Sequence, residues 1–245
     1  MEKHDHRDII VGRQPVMELL RAGQAVNRLY VASGARHGSI RDIIQLAKER
    51  NIPVKEVQPK FLDALSPIAN HQGVAAEAAP FRYLELHELL ALGRPQFYLV
   101  LAGIQDPQNL GSLIRSAEVC GVSGVIIPKH RACGVTPAAA KASAGAAAHM
   151  PIARVTNIRF ALEELKQAGC WVVGADMEGE VCYRQNLSLP IALVIGGEGS
   201  GLPRLVKETC DFLVRIPMYG AVSSLNAAVA GGILLYEIAK QRHQE

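Results

Sequence analysis

The chain has no apolar run approaching the roughly 18 residues of a membrane-spanning helix, and no CxxC pair or His/Cys spacing of the kind that holds zinc. Its five cysteines, Cys120, Cys133, Cys170, Cys182 and Cys210, are odd in number and scattered. That usage fits reduced thiols in a cytosolic protein and not a disulfide framework. The start, Met1-Glu2-Lys3-His4-Asp5-His6-Arg7-Asp8, is too charged for a signal peptide. An excess of one charge is also missing. The net charge is only +3, so a nucleic-acid partner has to be met by a local patch and not by the field of the whole protein. No Gly-Lys-Ser/Thr phosphate loop and no early GxGxxG is present. These absences argue against membrane, secreted, P-loop and dinucleotide-binding proteins. They lead us to expect a cytoplasmic protein with no bound metal.

What is present is ordinary in bulk. With 245 residues, 49% of them apolar and 20% charged, the chain can form one large or two modest globular cores. Over residues 1–79 the pattern predicts helices at 15–20, 39–50 and 59–65 and strands at 27–32, 54–57 and 73–77, a small β/α unit. No nucleophile there has a plausible base beside it, so the unit reads as a binding module. Its loop with Gly34, Arg36, His37, Gly38 and Arg41 either contacts phosphate oxygens or is a solvated surface. Pro80 and Pro95 bracket a helical piece over 83–92 and mark a linker at 80–95. From 96 to 245, short apolar strands at 97–101, 125–127, 152–155, 171–175 and 191–195 alternate with helices. That alternation predicts an α/β class with a mostly parallel sheet covered on both faces. Ligands of such sheets bind beyond the carboxyl ends of the strands, so the loops there carry most weight.

Three stretches stand out. In the first, Asp106-Pro107 reads as an N-cap before a first-turn proline, opening a helix to about Cys120. Asn109 lies in its first turn, and Arg115, six residues on, reads by itself as a surface salt-bridge residue. The second is Gly196-Gly197-Glu198-Gly199-Ser200-Gly201, directly after a strand. Its glycines permit positive φ and close approach of a ligand, and Glu198 among them would repel a polyphosphate. A plain tight turn is the alternative. The third begins irregularly, because Pro217 lacks a donor and Gly220 marks a turn before Ser223 and Ser224. It continues as a small-residue helix to about Arg242. Asn226, at the start of that helix, needs partners if it is buried; the alternative is a capped helix whose small face packs closely. Between the first two stretches an alanine-rich helix carries Lys141 and Ser143. With Lys129 and Arg131 nearby, it either faces RNA or is a small-residue packing helix.

Taken together and in this order, the stretches resemble the three motifs of the SpoU (TrmH) family of RNA ribose methyltransferases, within the SPOUT superfamily. The matching residues run from Asp106 through Asn109 and Gly111 to Arg115, from Gly196 through Glu198 to Leu202, and from Ile216 through Gly220 to Asn226. Lys141-Ala142-Ser143-Ala144-Gly145 adds a fourth match. The amino-terminal unit resembles the L30e-like substrate-binding domain of the subgroup that methylates guanosine in 23S rRNA. Departures are slight: Gly197 and Ser223 stand where other residues are frequent. The resemblance implies a trefoil knot in the carboxy-terminal domain, S-adenosyl-L-methionine (AdoMet) as methyl donor, and a homodimer. It also implies AdoMet contacts at Gly196, Gly197, Glu198, Gly201, Ile216, Pro217, Met218, Ser224 and Leu225. Asn109, Arg115, Glu198, Ser224 and Asn226 would form the polar active set, and Arg36, Arg41, Lys129, Arg131 and Lys141 the RNA contacts.

The implied reaction needs a ribose hydroxyl positioned and relieved of its proton. Arginine hardly deprotonates, so Arg115 suits a phosphate clamp better than a base. No histidine or carboxylate in these stretches is an obvious base. A non-catalytic RNA-binding protein and a nucleotide-dependent Rossmann-like enzyme are the rival classes; the first leaves the polar loops without a purpose, the second lacks its phosphate motif.

Overall fold

Two periodicities organise the first of the two units into which the chain divides, Met1–Arg82. The computed structural model describes residues 8–21, 23, 25–35, 38–65, 71–79, 81–93, 96–222 and 224–243. Strands β1 (Asp8–Val11), β2 (Val26–Ala32), β3 (Val54–Val57) and β4 (Val74–Ala78) form one sheet in the order β1-β4-β2-β3. β1 and β2 run antiparallel to β4, and β2 pairs in parallel with β3. Side chains alternate across a strand, so Leu29 and Val31 of β2 face one side and Tyr30 and Ala32 the other. The first pair packs with Val16 and Leu20 of α1 (Arg13–Arg21) and with Ile40 and Ile43 of α2 (Ser39–Glu49). The second packs with Leu62 of α3 (Pro59–Leu65), Val57 and Ala75. Ile40, Ile43 and Ala47 recur on α2 at helical spacing and are fully buried, which leaves Arg41 and Lys48 exposed.

In the second unit, Tyr83–Glu245, six strands form one sheet: β5 (Phe97–Ala102), β6 (Gly124–Pro128), β7 (Ile152–Val155), β8 (Trp171–Val181), β9 (Ile191–Gly196) and β10 (Phe212–Arg215). Their order is β10-β8-β9-β5-β6-β7, and every pairing is parallel. The central β5 and β9 are buried at every position, as strands covered on both faces must be. One face is covered by α4 (Leu86–Leu90) and α7 (Ile158–Gln167), which bury Leu86, Leu89, Leu162 and Leu165 with Tyr98, Val100 and Val194. Toward the alternate residues of the sheet come α5 (Pro107–Val119) and α9 (Ala227–His243), which pack together. At their crossing, a Cβ on Gly231 would collide with Leu113 and lie 3.7 Å from Ile195 Cγ1. α5 meets α6 (Pro137–Ala142) equally closely, since a Cβ on Gly111 would strike the Ala139 carbonyl and Ala142 Cβ.

The structure differs from the sequence reading in three places. From Tyr83 on, the segment expected as a linker over 80–95 contributes to the second unit instead: Leu84 accepts a bond from Arg154 N and donates one to Ile152 O at the edge of β7, and Leu86 and Leu89 of α4 are buried. Beyond the expected run ending at Ala175, β8 continues to Val181. β10 and α8 (Arg204–Thr209) were not anticipated as separate elements. Of the two alternatives for the helix with Ser143, the packing helix holds for this residue: it is fully buried, and its hydroxyl donates to Ala140 O and accepts from Ala147 N.

Candidate active site

The loops after β5 and β9 and the segment between β10 and α9 converge at the carboxyl end of the parallel sheet. At that end, Asp106 caps α5, its carboxylate accepting from Gln108 N at 2.6 Å, with Pro107 in the first turn. The loop after β9 folds back on itself: Gly201 N donates to Gly197 O, and Gly199 and Gly201 adopt φ of 74° and 65°. A side chain at Gly196 would run into the Gly201 backbone, so this turn needs glycine there. Glu198 reaches from the turn to the corner after β5. Its carboxylate accepts from Gln105 N at 3.1 Å, Asp106 N at 3.3 Å and Asn109 Nδ2 at 2.9 Å. The other end of the Asn109 amide, Oδ1, accepts from Asn226 Nδ2 at 2.9 Å. Asn226 Oδ1 in turn accepts from Ala228 N at 2.8 Å and Val229 N at 3.2 Å, capping α9. A chain Glu198–Asn109–Asn226 therefore joins all three segments.

Beside this chain lies a cavity of about 470 Å³. Gly196, Gly197, Glu198 and Gly201 line it from the loop after β9, and Ile216, Met218, Ser224, Leu225 and Asn226 from the segment after β10. Pro217 does not line it, although Ile216 and Met218 on either side do. Nor does Arg115, which is exposed farther along α5 and makes no hydrogen bond or ion pair among the described residues. Asn226 is exposed, so its partners serve a cap and a bridge and not a buried amide. Lys129 is half-buried with its Nζ 3.7 Å from Glu85, Arg131 is exposed at φ 58°, and Lys141 is exposed on α6. Arg41 lies on α2 of the first unit, Ser223 and Arg36 outside the described residues. The sequence reading missed the cavity wall contributed by Ala175, Asp176 and Met177, at and just beyond the expected end of the β8 strand.

Two family models account for most of the chain. The model described as the SpoU rRNA Methylase family matches residues 96–236, and one described as RNA 2'-O ribose methyltransferase substrate binding matches residues 9–84. This chain belongs to the SpoU rRNA methylase family. Among its relatives is the "Putative TrmH family tRNA/rRNA methyltransferase YacO" of Bacillus subtilis (strain 168), 42% identical over 99% of this chain and 98% of that protein. The crystal structure of the SpoU methyltransferase AviRb from Streptomyces viridochromogenes, in complex with the cofactor AdoMet, is 27% identical with a TM-score of 0.72, over 97% of this chain and 91% of that one. An AdoMet-bound rRNA methyltransferase from Sinorhizobium meliloti is 30% identical with a TM-score of 0.70, over 97% and 87% of the two chains.

In this SpoU site the electrostatics separate architecture from chemistry. Burial pushes the Glu198 carboxyl up, but hydrogen bonds from the Asn109 side chain and from the backbone N–H groups of Glu198, Gln105 and Asp106 outweigh it and hold the pKa below the usual glutamate value. Glu198 is therefore an anion at neutral pH whose two oxygens are both engaged. It positions the loop and is poorly placed to take a proton. Loss of the α9 cap in Asn226→Ala should cost about 1 kcal/mol of stability, whereas Asn226→Ser retains a capping oxygen but loses the amide that reaches Asn109. Denaturant titration should thus find the serine variant close to wild type and the alanine variant destabilised. Equal destabilisation by both would rule out the cap.

Proposed function

We propose that this chain methylates RNA on a ribose 2′-hydroxyl, with AdoMet as donor and a guanosine of 23S rRNA as target. When bound, AdoMet supplies a methyl group on a sulfonium centre. The cavity suits such a ligand: its volume of about 470 Å³ falls in the range of small-molecule sites, and Val214 and Ile216 offer apolar surface to a purine. The observation that carries the reading is the hydrogen-bonded chain from Glu198 through Asn109 to Asn226 along one wall of that cavity. A methyl-accepting oxygen arriving there meets oriented amides and backbone groups of the N-terminus of α5. The match of residues 9–84 to a ribose-methyltransferase substrate-binding model supports the ribose as target.

In this reading the amino-terminal residues, with exposed Arg41, bind RNA together with Lys129, Arg131 and Lys141, and the protein works in the cytoplasm. The trefoil knot belongs to it as well, supported by the family match over residues 96–236. A homodimer is supported by Val229, Ile233 and Tyr236, which recur along one face of α9 and are 50%, 41% and 67% exposed. Sedimentation at the monomer mass over the micromolar range would exclude the dimer.

Nucleoside mass spectrometry after incubation of the protein with AdoMet and unmodified 23S rRNA should show 2′-O-methylguanosine. Methyl groups on a base would overturn the ribose assignment, and product formed only with tRNA would overturn the rRNA assignment.

Arg115, exposed and unpaired among the described residues, is free to clamp an RNA phosphate. Arg115→Gln should lower the single-turnover rate by about 10²-fold or more, while Arg115→Lys retains part of it, both with AdoMet affinity intact. A new ionisation near the lysine pKa in the pH profile of the lysine variant would instead make this residue the proton acceptor.

A further inference from the structure

Along β8 the ladder is interrupted. Its partner β10 pairs Phe212 with Val173 and Leu213 with Gly174, but the next two residues, Val214 and Arg215, pair with Glu180 and Val181. Pairing with β9 also ends at Gly174. Residues 175–179 therefore leave the sheet on both sides as an excursion at its carboxyl end, and Ala175, Asp176 and Met177 enter the cavity wall. Gly179 brings the chain back so close to β10 that a Cβ there would collide with the Leu213 carbonyl and Val214 N. An excursion closed this tightly holds its side chains in place.

Asp176 is the polar group that it presents. The carboxylate is only 18% exposed. Lys207 Nζ donates to Oδ1 at 3.0 Å, and Glu178 N donates to the same oxygen at 2.9 Å. Lys207 also holds Glu178 Oε2 at 2.9 Å. Both bonds to Asp176 fall on Oδ1, so Oδ2 has no hydrogen-bond partner among the described residues. One oxygen is anchored and the other is left for a donor from outside the chain.

The strand order says which part of a ligand that donor belongs to. Asn109 and Glu198 stand over β5 and β9, whereas Asp176 stands over β8, on the far side of β9 from β5. The apolar Val214 and Ile216 come from β10 and just after it, next to β8. A purine seated on that apolar surface brings its ribose beside Asp176 and leaves the reacting end toward Asn109. We infer that Asp176 recognises the ribose diol of the methyl donor, accepting from a 2′- or 3′-hydroxyl through Oδ2, with Lys207 as the residue that positions it. A carboxylate taking a ribose hydroxyl is established chemistry in nucleotide sites. This inference rests on AdoMet as the ligand of the cavity.

Calorimetry on the full chain tests it with the product analogue S-adenosylhomocysteine, its 2′-deoxy and 3′-deoxy analogues, and 5′-methylthioadenosine, which keeps the diol but lacks the amino-acid arm. Asp176→Ala should weaken S-adenosylhomocysteine and 5′-methylthioadenosine alike, by roughly tenfold to a hundredfold. At least one deoxy analogue should bind wild type and variant equally, since the lost contact is already missing. Lys207→Met should show the same selectivity to a smaller degree, and Lys207→Arg should restore it. If the variant weakened only ligands with the amino-acid arm, Asp176 would be a partner of the ammonium group and the diol assignment would fail. Equal weakening of both deoxy analogues would mean a general disturbance of the excursion, and no weakening at all would remove Asp176 from the site. A wild-type protein that binds none of these ligands would overturn the AdoMet reading itself, an outcome separate from the others.

Discussion

One carboxylate organises the carboxyl end of the parallel sheet. Glu198 sits in a glycine-rich turn that has almost no side chains with which to hold itself, and it takes its order from the neighbouring loop. By accepting from Gln105 N, Asp106 N and Asn109, it fixes the corner after β5 to the turn after β9, across some ninety positions of sequence. The same bonds keep it ionised and occupied, which removes it as a base and leaves it as a strut. Asn109 completes the device because an amide has a donor and an acceptor on one short stem. Its nitrogen serves Glu198 and its oxygen receives Asn226.

That chain closes only because the helices carrying its members approach closely. α5 lies against α6 at Gly111 and crosses α9 at Gly231, and at both places a single added carbon would collide with the neighbour. Small residues here set the helix spacing, and the helix spacing sets the distance between Asn109 and Asn226. Leucine elsewhere on the same helices then fills the core against the sheet, with Leu110, Leu113, Leu234 and Leu235 nearly or fully buried. Packing and polar geometry are thus two consequences of one arrangement of small and large side chains.

Much of this was legible from residue order. The helical spacing of α2, the apolar runs of β5 and β9 and the Asp106-Pro107 cap translate directly into the observed elements, because each depends on neighbours in sequence. β10 escaped notice for a physical reason: its apolar run is only the three residues Phe212-Leu213-Val214, too short to tell a strand from the end of a helix or a turn. The segment after Tyr83 looked like a linker because its prolines and polar residues resemble one, yet Leu84 pairs with the edge of β7 and Leu86 and Leu89 are buried. For Ser143 the residue order left an RNA-facing surface and a packing helix both open, because nothing local shows whether its hydroxyl is satisfied within its own helix turn, as it is.

The sequence by itself determined the class of the fold, the two-part organisation of its patterns and the three polar stretches that form the site, since periodicity, capping and glycine content are local properties. Tertiary structure alone decided what those stretches do to one another. Strand order placed β9 between β5 and β8, so that Glu198 meets Asn109 on one side and the Asp176 excursion lies on the other. Tertiary structure also put Met218 in the cavity wall and Pro217 out of it, and left Asn226 exposed with its amide bridged. Contacts between residues far apart in the chain depend on how sheets and helices stack, and no window of sequence contains that information.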